Sequence, residues 1–392
     1  MYDLCPLCGI IASPPPAETI CQEVVDSSAV VSLPLAKKHN NTIHPVVARL
    51  QLLQMLNRSL LKTLPFIDLT NTNRSGSVAS LLSRCRGLIL VCLKNELWED
   101  SIDNTKVSNV EPFELQLSRF KAAKHSKSGI PDDDAKFTCF SQAFRQFHNM
   151  SCVGLRHSDR IYRTLFIGEK AIDAGGPYRE SIAMYCQELQ SSCLSLMMPT
   201  PNARHSFGQN RDQWILNPGN LTLLKREMLI FLGKLMGIAI RGKEYLALNL
   251  SPIIWKLLVG ETLSRDDLEG VDKFQVTSLE KLRDIDKEGI DAEMFQDIFF
   301  ENFTVISTDN RVVELISNGA NVPVTFQNRH EYCDLVISYR LKEFDESVKA
   351  VREGLNCIVP LSILTMFSWD QLERMVCGKK KHFLKKIYAM KI

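Results

Sequence analysis

The sequence predicts a mostly helical α+β chain. Leucines at helical spacing open it, a nearly all-apolar stretch lies near its centre, and short β-type runs break the helical pattern at two places. Leu50, Leu53, Leu56 and Leu60 recur between Val46 and Pro65 at the spacing of one helix face. Met228 to Ile240 is apolar nearly all round, as a helix buried in a large helical domain would be. Tyr162 to Ile167 is rich in β-formers and closed by Gly168, so it reads as a strand. Residues 311–326 read as a short hairpin region, from Val312-Val313-Glu314-Leu315 and Val322-Pro323-Val324-Thr325-Phe326.

Taken in order, residues 1–45 read as a poorly ordered segment, because Pro14-Pro15-Pro16 and Ser27-Ser28 break any periodicity. Residues 46–123 form a helical region of unassigned role. Its first helix is followed by a loop from Asn71 to Ser77. A second helix then runs through Leu81, Leu82, Cys85, Leu88 and Ile89 to near Trp98. Residues 100–112 and 124–134 are polar linkers, and the second is taken as the domain boundary. Residues 124–159 hold that linker and a short helix, Phe137 to Met150, with Phe140, Phe144 and Phe147 on one face. Asp173-Ala174-Gly175-Gly176-Pro177 is a turn that opens a helix, with Pro177 suited to its first position. Ile182, Tyr185, Cys186, Leu189, Cys193 and Leu196 are its buried face. Helices follow at Ile253–Leu258 and Asp272–Arg283, and one long amphipathic helix spans Phe326 to Glu353. There are no internal repeats.

Composition excludes several classes. Of 392 residues, 45% are hydrophobic and 23% charged, ordinary globular values. A net charge of +2 gives no drive toward nucleic acid or anionic membrane. The Met228–Ile240 stretch contains Lys234 and falls short of the ~20 apolar residues that a membrane span needs. Met1-Tyr2-Asp3-Leu4 starts no secretory signal, and twelve cysteines are too sparse for a disulfide framework. The expected setting is the cytoplasm, with the nucleus as the other reducing compartment. No metal or cofactor is expected. Cys5, Cys8, Cys21, His39 and His44 lack zinc-finger spacing. Asp132-Asp133-Asp134 reads as a solvated loop or helix start, and the Lys379–Lys386 run as a frayed basic tail.

From about Arg160 onward, ordered motifs accumulate. Phe166-Ile167-Gly168-Glu169 precedes Asp173-Ala174-Gly175-Gly176-Pro177-Tyr178-Arg179-Glu180. Asn210-Arg211-Asp212 leads to Leu216-Asn217-Pro218. Then come Phe231 to Ile240, Val322 to Arg329, Tyr339-Arg340, Val351-Arg352-Glu353-Gly354-Leu355, Leu372-Glu373 and Met375-Val376-Cys377-Gly378. In this order they resemble the HECT-type ubiquitin ligases, and the wording around Cys186 to Gln190 resembles the large HERC-type members. The resemblance implies that residues 160–378 form the HECT N-lobe, the large lobe, with short β-hairpins. It implies a ubiquitin-protein transferase working by thioester relay. A ubiquitin-conjugating enzyme charged with ubiquitin is the partner, and lysines of protein substrates are the acceptors. Residues 1–120 carry no resemblance of their own.

After Gly378 the wording departs from the family's pattern, and residues 379–392 read as a divergent basic tail. The expectation is that the relay cysteine lies outside this chain, that the chain holds no catalytic residue, and that it is inactive alone. Cys377 falls in the family's structural Cys-Gly turn. Thr138-Cys139-Phe140 repeats the tripeptide around the family's catalytic cysteine, yet it lies before the domain on a Phe-rich face and reads as core. For the conjugating enzyme, the matching stretch is Ser278 to Phe300. Leu279, Ile285, Met294, Phe295 and Phe299 are the expected lining of an apolar groove, with Phe299 against Phe300 left open. The competing readings are a non-catalytic module that binds the conjugating enzyme as a competitor, and a helical scaffold.

Overall fold

The computed structural model describes residues 45–378, except 108–110, 149, 158–159 and 170–172. The expected poorly ordered segment (all but Pro45), the Cys5, Cys8, Cys21, His39 and His44 set, and the Lys379–Lys386 run lie outside the described residues. The chain forms two compact units. One takes residues 45–105 and 360–368, the other residues 106–359 and 369 onward.

The first unit opens with helix α1 (Pro45–Thr63). Leu60 is buried, but Leu56, expected on the same face, is 40% exposed. The single helix expected through Leu81 to Trp98 is two, α2 (Val78–Arg84) and α3 (Val91–Asn104), with a short 3-10 turn between them. The cause is Asn57 of α1. Its amide donates to Leu88 O at 3.0 Å and its Oδ1 accepts from Leu90 N at 2.9 Å. A buried side chain thus replaces the ladder bonds that a continuous helix would make. Leu60, Leu82, Ile89 and Leu93 pack with Met366, and Phe367 sits edge-on to Trp98 at 5.8 Å.

The second unit starts before the expected boundary. Strand β1 (Phe113–Leu117) pairs in parallel with β2 (Tyr162–Phe166), with Phe113 opposite Tyr162 and Leu117 opposite Phe166. Helices α4 (Arg119–Ser126) and α5 (Cys139–Phe147) lie between them in sequence. The polar stretch 124–134 is therefore inside this unit. Asp132 orders it by accepting from the backbone N–H groups of Lys136, Phe137 and Thr138 at 2.8–2.9 Å. Burial pushes its carboxyl up, but the Lys136 and Thr138 N–H bonds outweigh that and hold it below its ordinary value. The aromatic face of α5 packs as expected. Phe140, Phe144 and Phe147 lie 5.2, 6.0 and 5.2 Å from the Phe231 ring.

Helix α6 (Gly176–Leu189) follows a turn in which Gly175 takes φ 115, a left-handed backbone that suits glycine. Asp173 fixes this turn by accepting from Thr164 N and Gly175 N. Strands β3 (Met197–Pro199) and β4 (Trp214–Leu216) pair antiparallel. Next come the buried α7 (Leu223–Gly242), then α8 (Pro252–Leu258), α9 (Arg265–Glu269), α10 (Lys273–Arg283) and α11 (Ala292–Ile298).

The hairpin expected within 311–326 is shifted. Strand β5 (Thr304–Ile306) pairs with β6 (Val312–Glu314) across a turn in which Asn310 is left-handed. Pro323 lacks an N–H for a ladder, and its segment makes only an isolated bridge to Asn302. The long helix expected from Phe326 to Glu353 is two, α12 (Arg329–Lys342) and α13 (Asp345–Ile358). Phe344 turns into the core at the break, 1% exposed. Helix α14 (Trp369–Cys377) closes the unit, ending at Gly378 with φ 77.

Helices α7 and α13 cross closely through glycines. A Cβ on Gly233 would overlap the Val351 carbonyl, one on Gly237 the Ile358 side chain, and one on Gly354 the Ile230 carbonyl. The Gly-x-x-x-Gly spacing of α7 thus places two bare backbone positions one turn apart on the face that meets α13.

Candidate docking site

Residues 272–342 build a small subdomain around aromatic and aliphatic side chains. Asp291 starts α11 by accepting from Glu293 N at 3.0 Å and Met294 N at 2.9 Å. This cap sets the helix phase. Phe295 and Phe299 turn inward while Met294 and Ile298, four apart, turn outward.

The five residues expected as groove lining therefore separate. Leu279 and Phe295 are core, at 6% and 0% exposure, packed with Leu282, Phe303 and Tyr332. Ile285 and Phe299 are half-buried against that cluster, with the Phe299 ring 5.2 Å from Phe295. Only Met294, at 50%, is exposed. Leu279 and Phe295 support the surface from beneath rather than line it. Along α11 and the residues just after it, the exposed apolar side chains are Met294, Ile298 at 53% and Phe300 at 80%; elsewhere in the subdomain Phe274, Ile306 and Val312 are exposed too. Ile298 was missed, although its i+4 spacing from Met294 marks the same helix face. Of the pair left open, Phe300 is the exposed one and Phe299 the half-buried one. The sequence around this ridge carries exposed Glu288, Asp291, Glu293, Asp297 and Glu301 against exposed Lys287, so its surroundings are net acidic.

A buried ionic network holds the base of the subdomain. Arg340 reaches Asp272 Oδ2 at 3.0 Å, Gln275 Oε1 at 2.6 Å and Thr308 Oγ1 at 2.9 Å. Its Nε lies 3.0 Å from Glu343 Oε2, an ion contact without hydrogen-bond alignment. Glu343 also accepts from Thr308 N and Oγ1 at 2.5 and 2.7 Å. Side-chain exposures of 2% for Arg340, 9% for Asp272 and 1% for Glu343 put the network out of water.

Among the described cysteines, three expected or suspected core thiols are buried. Burial lifts Cys186 and Cys333 to about 11. Cys139 is fully buried and its thiol is pushed far above the ordinary cysteine range, by burial first and then by the Glu188 carboxylate. Glu188 accepts from Cys139 N at 2.8 Å and Phe140 N at 2.7 Å. Such a thiol forms no thiolate at neutral pH, which removes its nucleophile. Cys193, expected on a buried face, is half-exposed, with its Sγ 3.4 Å from Ser126 Oγ. Cys377 ends α14, its Sγ 3.5 Å from Leu248 O. Brief iodoacetamide treatment of the native chain, followed by peptide mass spectrometry, should label exposed Cys85 and leave Cys139 unmodified. Labelling of Cys139 at the rate of Cys85 would contradict its burial.

No helix among the described residues is long and apolar enough to cross a membrane. Nor do the described residues contain a group of three or more His, Cys, Asp or Glu placed to hold a metal.

Fold and ridge together define a helical platform with an apolar surface in net acidic surroundings, the kind of patch through which proteins meet partners. Residues 183–390 match the HECT-domain (ubiquitin-transferase) family model, and the chain belongs to that family. It is 34% identical over 373 residues to E3 ubiquitin-protein ligase HERC2 of Mus musculus and of Homo sapiens, matching 92% of this chain and 8% of each relative. It is 32% identical over 375 residues to the Probable E3 ubiquitin-protein ligase HECTD4 of Homo sapiens, matching 86% of this chain and 9% of that protein. The chain thus spans less than a tenth of these relatives. The 92% match must take in most of residues 46–123, which are too many to fall in the remainder, so that region is shared with HERC2. The family match also runs past Gly378, where the sequence reading placed a divergent tail.

Proposed function

We propose that this chain is the platform on which a HECT-type E3 ubiquitin-protein ligase receives a ubiquitin-conjugating enzyme charged with ubiquitin. The carrying observation is the Met294, Ile298 and Phe300 ridge, exposed over a rigid aromatic core. Exposed large apolar side chains cost solubility and are kept where a partner covers them. The net acidic surroundings favour a partner whose contact face is basic, which speeds encounter and makes binding weaken with salt. In the relay, a ligase cysteine thiolate attacks the ubiquitin thioester and expels the conjugating enzyme's cysteine thiolate, and a substrate lysine amine then attacks the new thioester, expelling the ligase thiolate and forming an amide. The platform contributes position to this exchange of like bonds. Buried Cys139, Cys186 and Cys333 are unfit for the attack. Sparse free thiols support the cytoplasm or nucleus as its place of work.

The test is binding of the full chain to a panel of conjugating enzymes at two salt concentrations. Phe300→Ala is expected to weaken the tightest pair about tenfold or more, the effect of losing a hot-spot aromatic. Met294→Ala and Ile298→Ala should each cost less, and none of the three should shift the melting temperature. Leu279→Ala and Phe295→Ala should lower it. Unchanged affinity in the three ridge variants, or no binding to any enzyme, would refute the reading.

A further inference from the structure

Two half-buried thiols far apart in sequence meet on the second unit. Cys152 starts a turn just after α5, closed by Leu155 N donating to Cys152 O at 3.2 Å and Arg156 N to Val153 O at 3.1 Å. Cys357 lies in the last turn of α13. Arg156 Nε donates to the Cys357 carbonyl oxygen at 2.9 Å, which ties the turn to the backbone of the second cysteine. The Cys357 thiol also lies within electrostatic reach of Cys152. Lys234 of α7 and Glu353, one turn back on α13, are the charged groups that Cys357 feels. Both cysteines are free and partly open to solvent, so a small oxidant can reach them.

We propose that Cys152 and Cys357 are a redox modification site, closing to a reversible disulfide that staples the 152–155 turn to the end of α13. Hydrogen peroxide is the oxidant. The Cys152 thiolate attacks a peroxide oxygen, the O–O bond breaks, and the departing hydroxide leaves as water with a proton, giving a sulfenic acid. The Cys357 sulfur then attacks the Cys152 sulfur. The S–O bond breaks, the S–S bond forms, and a second water departs with the Cys357 proton. Two thiols lose two electrons and two protons, and one peroxide becomes two waters. The balance is the same whichever sulfur reacts first, and burial, then the Cys152 contact, raise the Cys357 thiol to about 11. Lys234 favours the negative charge that develops on it. A dithiol reductant reverses the exchange.

The experiment is peptide mapping of the full chain after brief peroxide exposure, alkylation and non-reducing digestion. The expected result is one dominant cross-linked peptide joining Cys152 to Cys357, lost on dithiothreitol treatment and absent in Cys152→Ser and Cys357→Ser. In an independent arm without oxidant, phenylarsine oxide, which bridges adjacent thiols, should protect both cysteines from alkylation in the folded parent. Should either serine variant fail to fold, these two measurements on the parent still decide. Recovery of Cys152 and Cys357 only as separate alkylated or over-oxidised peptides, or joined to other cysteines, would overturn the proposal. So would absence of arsenical protection.

Discussion

Gly354→Ala is expected to lower the denaturation midpoint of the second unit sharply, by about 3 kcal/mol or more, although it adds a single methyl group. The added Cβ would overlap the Ile230 carbonyl oxygen, and the neighbouring contacts are also Ile230 backbone. A clash with a side-chain tip relaxes by rotation, whereas a clash with a helix backbone moves the helix. Spreading α7 from α13 would loosen Phe231, on which the three phenylalanines of α5 pack. Gly233→Ala should behave alike, since its Cβ would meet the Val351 carbonyl. The two sites share one crossing, so the double variant should cost less than the sum. Gly242→Ala supplies the opposite sign. It lies at the end of α7 with no atom within 4 Å of an added Cβ, and alanine there should stabilise by up to about 1 kcal/mol by restricting the unfolded chain. Urea titrations of the three variants decide the matter. A Gly354→Ala midpoint at the parental value would mean that the helices cross with room to spare.

What could be read beforehand follows from which interactions are local. The aromatic face of α5 and the apolar α7 obey one helix period, so spacing alone exposed them. Pro177 and the paired glycines marked the start of α6 for the same reason. The misses are long-range. No neighbour of Leu88 announces that Asn57 will satisfy its carbonyl, so the break between α2 and α3 was invisible. Strand β1 reads as an unremarkable polar-apolar run until Tyr162–Phe166 is placed beside it. The apolar stretch 294–300 was legible as such, but not in its facing. The sequence presents Met294, Phe295, Ile298, Phe299 and Phe300 as one greasy run, and only the helix phase set by Asp291 assigns each to core or surface. The reading chose by resemblance and so mixed two buried residues with one exposed. Counting from the cap would have joined Met294 to Ile298.

An equal effect on docking, joined to a loss of stability, is expected from a residue that never touches the ridge. Arg340→Met keeps most of the side-chain volume but removes the cation that Asp272 and Glu343 share. Two buried carboxylates facing each other without it should cost about 3–5 kcal/mol, the range for breaking a buried ion pair from one side. Arg204 softens the loss: burial disfavours its charge, Asp272 and Glu343 partly offset that, and its Nη2 holds Thr308 O at 2.7 Å. Asp272 begins α10, Glu343 follows α12, and Thr308 sits between β5 and β6, so one guanidinium joins the three elements that frame the subdomain. Loosening them should blur the geometry of α11 and weaken conjugating-enzyme binding about as much as Phe300→Ala, while Phe300→Ala leaves the melt untouched. Combining Arg340→Met with Asp272→Asn and Glu343→Gln should recover part of the stability, since neither buried carboxylate then lacks its cation, while Arg204 keeps Asp309. Melting curves and binding isotherms on the same samples separate the two modes of failure. An Arg340→Met chain that melts and binds like the parent would show that water reaches these carboxylates and that the subdomain is held by its aromatic core alone.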